Sequence, residues 1–189
     1  MKIAFIIYND MTTLDFVGVY DPITRLKTMG FLSDLEYDVC SRSPRVRSFE
    51  GLEIKVDKTP ESLADYDYIV IPGGSGVAAL MNDTVYLEWI RSVSSNAIVT
   101  ALCGGVLVLG AAGMLQGKRV TTHPNHFKLV ETFGALLSVD RVVEDGLIIT
   151  AGGVTSAIDL GLYICEKLAG SDVRDKIQKQ MDYPYYTAS

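Results

Sequence analysis

Residues 97–110 decide the fold, and they read Ala-Ile-Val-Thr-Ala-Leu-Cys-Gly-Gly-Val-Leu-Val-Leu-Gly, with the cysteine at position 103. The apolar run before Cys103 has the length and composition of a buried strand, and a helical pattern begins directly after it. A strand-to-helix turn this tight exposes one side chain at the carboxyl edge of the sheet, where open α/β sheets bind their ligands. We therefore predict that Cys103 is a catalytic nucleophile.

Two glycines follow this cysteine in the sequence. Gly104 and Gly105 would leave the strained turn the room that larger side chains would fill. The start of a helix also favours a thiolate, which predicts a lowered pKa for Cys103. The alternative is that Cys103 is a small buried hydrophobic residue, as most free cysteines are. Cys40, inside a predicted strand, and Cys165, on an apolar helix face, fit that structural role.

Strand-length apolar runs alternate with helical patterns along the chain, which is typical of a mostly parallel sheet with helices on both faces. We predict strands at 2–8, 37–40, 68–71, 97–102 and 119–121, hairpins at 46–57 and 141–150, and helices at 14–29, 84–94, 104–115, 124–133, 155–168 and 172–181. We find no linker, repeat or low-complexity stretch. The sequence therefore predicts one domain over residues 1–189.

A second glycine-rich break, Pro72-Gly-Gly-Ser-Gly76, follows the predicted strand 68–71. Backbone N–H groups in such a turn can point into a crevice and bind an anion. We expect the N–H groups of Gly74 and Gly104 to form an oxyanion hole. A degenerate dinucleotide fingerprint is the weaker interpretation, because the turn does not follow the first strand and no acidic residue stands at the expected distance.

Three side chains are candidates for proton transfer to and from the sulfur. The two histidines of the chain are His123 and His126. His123 ends a predicted strand at the same sheet edge as Cys103 and is either its partner or a bystander, whereas His126, one turn on, fits a solvated helix residue. Asp15 lies among apolar residues and is either a helix cap or a buried carboxyl of raised pKa. A functional Asp15 is favoured if the first strand adjoins the Cys103 strand.

Composition and charge argue against several classes of protein, among them nucleic-acid-binding, membrane-spanning and secreted proteins. The 189 residues carry a formal net charge of −6 without a basic cluster, which argues against a nucleic-acid partner. No segment approaches the roughly 20 apolar residues of a membrane span, and we see no signal peptide. Three widely spaced cysteines form no disulfide framework, so we expect a cytoplasmic protein. Neither a metal-ligand spacing nor a phosphate loop is present, and we expect no metal and no cofactor.

Six motifs in order make the sequence similar to the ThiJ/PfpI superfamily over nearly the whole chain. They are Leu14-Asp15, Val70-Ile-Pro-Gly-Gly74, Ala101-Leu-Cys-Gly-Gly105, Thr121-Thr-His-Pro124, Asp145-Gly-Leu-Ile-Ile-Thr150 and Gly153-Val-Thr-Ser-Ala-Ile-Asp-Leu160. The resemblance implies a three-layer, flavodoxin-like fold like that of class I glutamine amidotransferases. It also implies that Asp15 approaches the sulfur of Cys103, and that the protein is a homodimer acting on a small molecule.

Within this superfamily the chain resembles the isonitrile hydratases, which add water to an isonitrile to give an N-substituted formamide. That subgroup usually has threonine directly after the cysteine, where this chain has Gly104. Protease-type members have a histidine directly after the cysteine and use it as a base. Gly104 cannot play that part, which argues against a peptidase. Two other hypotheses stay open: a glyoxalase or deglycase acting on reactive carbonyls, and a non-enzymatic redox sensor that uses the Cys103 thiol.

Overall fold

The computed structural model describes residues 1–186, so residues 187–189 of the predicted domain lie outside the described part. Within it the strands are β1 (Lys2–Ile6), β2 (Glu36–Cys40), β3 (Arg45–Arg47), β4 (Glu53–Lys55), β5 (Tyr68–Ile71), β6 (Ile98–Leu102), β7 (Arg119–Val120), β8 (Leu136–Leu137), β9 (Val142–Asp145) and β10 (Ile148–Ala151). The helices are α1 (Thr13–Thr28), α2 (Val77–Leu80), α3 (Thr84–Arg91), α4 (Gly105–Ala111), α5 (Phe127–Glu131), α6 (Ser156–Ala169) and α7 (Ser171–Gln180). A short 3-10 helix, Pro124–His126, precedes α5.

Six strands form the central sheet in the order β2-β1-β5-β6-β10-β9. Neighbouring strands are parallel except β9, which pairs antiparallel with β10 at one edge. Helices α1, α6 and α7 pack against one another, and α2, α3 and α5 pack against α4. The prediction of a three-layer α/β fold with a mostly parallel sheet is confirmed.

Burial on both faces explains why the central strands read as continuous apolar runs. Every residue of β5 and β10 is buried, as are the last four of β1 and of β6. Carboxyl ends of β1, β5 and β6 meet at one edge of this sheet, because these strands are parallel. The loops that follow them therefore lie together and build the site described below.

Several element boundaries differ from the prediction. Helix α4 ends at Ala111 rather than at position 115, because Gly113 adopts φ +76° and its N–H bonds back to Gly110. The helix predicted at 124–133 is a 3-10 turn followed by the short α5. Helix α2 and strand β8 were not predicted. The first strand also does not adjoin the Cys103 strand, because β5 lies between β1 and β6.

Candidate active site

Cys103 occupies the turn between β6 and α4, called the elbow below. Its φ of +52° lies in the left-handed region, which costs a residue with a side chain on the order of 1–3 kcal/mol. Three hydrogen bonds hold it there. The Cys103 N–H donates to the carbonyls of Ala151 and Gly152, both at 3.0 Å, and the Thr122 hydroxyl donates to the Cys103 carbonyl at 2.6 Å. The structure thus places Cys103 at the predicted elbow, with its side chain 7% exposed.

The two glycines after Cys103 are not equivalent. A Cβ on Gly105 would lie 2.5 Å from the Pro72 carbonyl oxygen. Only glycine at position 105 therefore lets the start of α4 pack against the backbone that follows β5. A Cβ on Gly104 would meet its nearest neighbour, the Nε2 atom of His126, at 3.4 Å. The expectation that the elbow needs room at both positions is therefore wrong for Gly104.

Asp15 lies in the first turn of α1 and is fully buried. The Gly73 N–H donates to its Oδ2 atom at 2.9 Å, and Oδ1 has no hydrogen-bond partner among the described residues. A Cβ on Gly73 would lie within 2.8 Å of Asp15 Oδ2, of Cys103 Cβ and of the Gly104 nitrogen. The carboxyl, the thiol-bearing carbon and the start of α4 therefore surround one glycine of the β5 loop.

This arrangement answers the question that the sequence left open for Asp15. Its carboxyl is a buried group rather than a helix cap, and it reaches Cys103 although β1 and β6 are not neighbours. The loop after β5 spans the gap, since Gly73 contacts both residues. The stated condition, adjacency of the two strands, is not met, whereas Asp15 and Cys103 do lie close together.

Burial shifts the pKa values of both groups, and the charge of Asp15 adds to the shift of Cys103. Burial raises the pKa of Asp15 from 3.8 to about 6, against the opposing effect of the Gly73 hydrogen bond. Burial also raises the pKa of the Cys103 thiol, and the negative charge of Asp15 raises it further. The Gly104 N–H at the start of α4 acts in the opposite direction but is outweighed. The expectation of a lowered thiol pKa is therefore wrong: an ionised Asp15 faces a protonated Cys103.

Cys103 opens into a cleft of about 300 Å³, called the Cys103 cleft below. Apart from the two histidines, none of its lining side chains can carry a charge at neutral pH except the thiol itself. The lining residues are Thr12, Phe49, Gly74, Ser75, Cys103, His123, Asn125, His126 and Val154. A cleft of this size and polarity fits a small neutral molecule.

Both histidines line this cleft, whereas the sequence suggested it only for His123; His126 ends a 3-10 helix and is half-buried. Their ring centroids are 5.8 Å apart. The Asn125 N–H donates to His123 Nδ1 at 3.2 Å, which leaves Nε2 to carry the proton of the neutral ring. Residues three apart lie on the same side of a 3-10 helix, so His123 and His126 both face the cleft.

Gly74 lines the cleft beside Cys103. Its φ is +136°, and a Cβ there would collide with the Asp10 carbonyl oxygen, so this position requires glycine. Within residues 1–186, no backbone carbonyl accepts a hydrogen bond from the N–H of Gly74 or of Gly104. Neither group is therefore used by the backbone, and the oxyanion hole expected from the sequence stays a prediction.

A larger cavity of about 720 Å³ lies at the β9 edge, away from Cys103. Its carboxylates are neutralised by neighbours: Asp159 pairs with Arg141, and Glu144 with Lys167. The smaller Cys103 cleft is the better candidate site, because it opens onto the Cys103 thiol, and the unpaired Oδ1 atom of Asp15 belongs to a carboxyl that lies beside Cys103.

Metal clusters and membrane-spanning helices are both missing from the described part of the chain. Within residues 1–186, the His, Cys, Asp and Glu side chains form no group of three or more that could hold a metal ion. Of the helices in these residues, none has the length and apolar character needed to cross a membrane.

Comparison with curated proteins finds relatives over most of the chain. An isonitrile hydratase of Pseudomonas putida is 40% identical over 185 residues, covering 97% of this chain and 78% of that protein. Protein DJ-1alpha of Drosophila melanogaster is 33% identical over 162 residues, covering 85% of this chain and 72% of that protein.

Solved structures and a family model give the same assignment. A ThiJ/PfpI family protein from Pseudomonas syringae aligns with a TM-score of 0.84 and 29% identity, over 100% of this chain and 77% of that one. Schizosaccharomyces pombe DJ-1 shares the fold, with a TM-score of 0.81 and 21% identity over 97% of this chain and all of that one. The model of the DJ-1/PfpI family matches residues 1–167. The resemblance found in the sequence is confirmed, and the chain belongs to the DJ-1/PfpI family.

Proposed function

We propose that the protein hydrates a small, uncharged isonitrile to an N-substituted formamide, with Cys103 as the nucleophile. The observation that carries this proposal is the fully buried Asp15, whose Oδ1 atom lacks a partner beside a protonated thiol. A carboxylate in this position can accept the thiol proton as the sulfur attacks. The uncharged lining of the Cys103 cleft suits a neutral electrophile, and a 40% identical relative is an isonitrile hydratase.

In the first step the Cys103 sulfur forms a bond to the terminal carbon of R–N≡C. The thiol proton passes to Asp15 and from there to the same carbon, so that the product is the thioimidate R–N=CH–S–Cys103. This step is a 1,1-addition of S–H to carbon and needs no oxidant or cofactor. Because Asp15 is buried and close to the sulfur, the proton need not leave the site.

In the second step a water molecule adds to the thioimidate carbon. One water proton moves to the substrate nitrogen, where the His123 Nε2–H is a candidate hydrogen-bond donor. The N–H groups of Gly74 and Gly104 would stabilise the negative charge that develops on the added oxygen. The hydroxyl proton of this adduct then passes to Asp15 and from there to the sulfur as the C–S bond breaks, which releases R–NH–CHO and restores the Cys103 thiol.

The test is formamide production from a panel of alkyl and aryl isonitriles, followed by mass spectrometry. We expect turnover by the wild type and its loss in Cys103→Ala. Cys165→Ala is the matched control, because Cys165 is a buried cysteine of α6 that does not line the cleft. If wild-type protein with an intact thiol yields no formamide, the proposal is wrong. Lactate from methylglyoxal would then indicate a glyoxalase, and selective oxidation of Cys103 without turnover would indicate a redox sensor.

We further propose that the protein works in the cytoplasm as a homodimer. The described cysteines are all unpaired thiols, which suits a reducing compartment. A surface for the partner is offered by four exposed apolar residues, Leu14 and Val17 of α1 and Phe49 and Leu52 between β3 and β4. The two segments adjoin, since Thr13 donates two hydrogen bonds to Glu50. Light scattering should then give twice the chain mass of 20.6 kDa, and a monomer would contradict the proposal.

A further inference from the structure

His126 has a position in the Cys103 cleft that the steps above do not use. Its Nε2 atom lies 3.4 Å from the point where a Cβ of residue 104 would stand, directly beside the start of α4. Neither ring nitrogen of His126 takes part in a hydrogen bond within the described residues, although the ring is only half-exposed. The ring therefore presents a free nitrogen towards the residue that follows the nucleophile.

The two histidines of the cleft differ in what they can do. His123 is fixed by the Asn125 N–H, which occupies its Nδ1 atom. His126 has both nitrogens available, and burial together with the neighbouring His123 lowers its pKa. The ring is thus neutral at neutral pH and can accept a proton there.

We propose that His126 is the general base of the hydrolytic half-reaction, a role that rests on the proposed function. As the water oxygen bonds to the thioimidate carbon, one water proton moves to Nε2 of His126, and the carbon–nitrogen double bond becomes a single bond. The protonated ring then delivers that proton to the substrate nitrogen. Asp15 thus exchanges a proton with the sulfur, and His126 accepts a proton from the attacking water.

Gly104 makes this geometry possible. With glycine at position 104 the space between His126 Nε2 and the elbow is open, and the Gly104 N–H remains available to the oxygen that the water contributes. A side chain at position 104 would begin in contact with the imidazole and would separate it from the attacking water.

The experiment compares wild type with His126→Gln and His126→Ala, and uses Lys128→Ala as control because Lys128 is an exposed residue of the adjoining α5. Formamide release and the mass of Cys103 are followed in parallel after mixing with an isonitrile. We expect both His126 variants to lose about 100-fold in kcat, which is typical for removal of a general base. The covalent adduct on Cys103, heavier by one isonitrile, should accumulate only in these variants.

Each outcome decides between the two proposals. Slow release with accumulated adduct supports the base role of His126. Unchanged kcat in the His126 variants, or slow turnover without adduct, overturns that role and leaves the hydratase standing. If wild type itself forms no formamide, the hydratase proposal fails, and the role of His126 falls with it.

Discussion

Asp15 is subject to two opposing requirements at the level of the single residue. In the proposed mechanism its carboxylate must be ionised to accept the thiol proton, whereas its full burial makes that ionised form costly. The Gly73 N–H offsets part of this cost, while Oδ1 stays unpaired. A residue kept in such a position at the expense of stability is typical of a functional site.

The first prediction concerns stability against pH. The pKa of Asp15 is about 6 in the folded protein and 3.8 for an unperturbed aspartate, so its stabilising contribution is complete below pH 3.8 and is lost as the pH rises through 6. A shift of about two units corresponds to about 3 kcal/mol. Asp15→Asn should therefore be more stable than wild type by up to about 3 kcal/mol at pH 8 and similar at pH 4. Urea unfolding at both pH values measures this, and an equal difference at both would contradict it.

The second prediction concerns the reactivity of Cys103. Removing the negative charge in Asp15→Asn should lower the thiol pKa, so that the midpoint of alkylation by iodoacetamide moves to lower pH. Turnover should nevertheless fall, because asparagine cannot accept the thiol proton. Asp10→Asn is the control, since Asp10 is exposed and its φ of +61° suits asparagine equally. A higher midpoint in Asp15→Asn would instead indicate that a protonated Asp15 donates to a thiolate in wild type.

At the level of elements, the elbow depends on the contact between α4 and the backbone that follows β5. The third prediction compares its two glycines. Gly105→Ala places a methyl group 2.5 Å from the Pro72 carbonyl and should cost about 1–3 kcal/mol or more of stability, with loss of activity. Gly104→Ala meets only the end of a side chain at 3.4 Å and should leave the thermal midpoint nearly unchanged. Thermal unfolding of both variants tests this, and equal losses would contradict it.

The sequence predicted what depends on local signals. The period of apolar residues located the strands and helices, and the glycines after two buried strands located the elbow and the β5 loop. Strand order is not local, so the position of β5 between β1 and β6 was missed. The 3-10 turn at Pro124–His126 was read as the start of an α-helix, and the contact of His126 with the Cys103 cleft was missed because a cleft is built from loops distant in the sequence. The sign of the Cys103 pKa shift depended on burial, which the helix position alone does not give.

At the level of the whole molecule, the two helical layers share one sheet and so should not unfold independently. The only tryptophan of the sequence, Trp89, is buried in α3 on one face, and Cys165 is buried in α6 on the other. Strands β5, β6 and β10 lie between these layers and are almost entirely buried. Loss of either layer would expose this apolar surface to water, and each Å² of apolar area exposed costs about 25 cal/mol of free energy.

The fourth prediction is therefore a single cooperative transition in urea for residues 1–189. Trp89 fluorescence reports on the α3 layer, and pulse labelling of the Cys165 thiol reports on the α6 layer. The background should be Cys40→Ala/Cys103→Ala, so that one thiol remains. Both probes should give the same midpoint and the same slope, because the sheet couples the layers. Midpoints that separate, with Cys165 labelled while Trp89 is still buried, would show that α1, α6 and α7 form an independently unfolding layer.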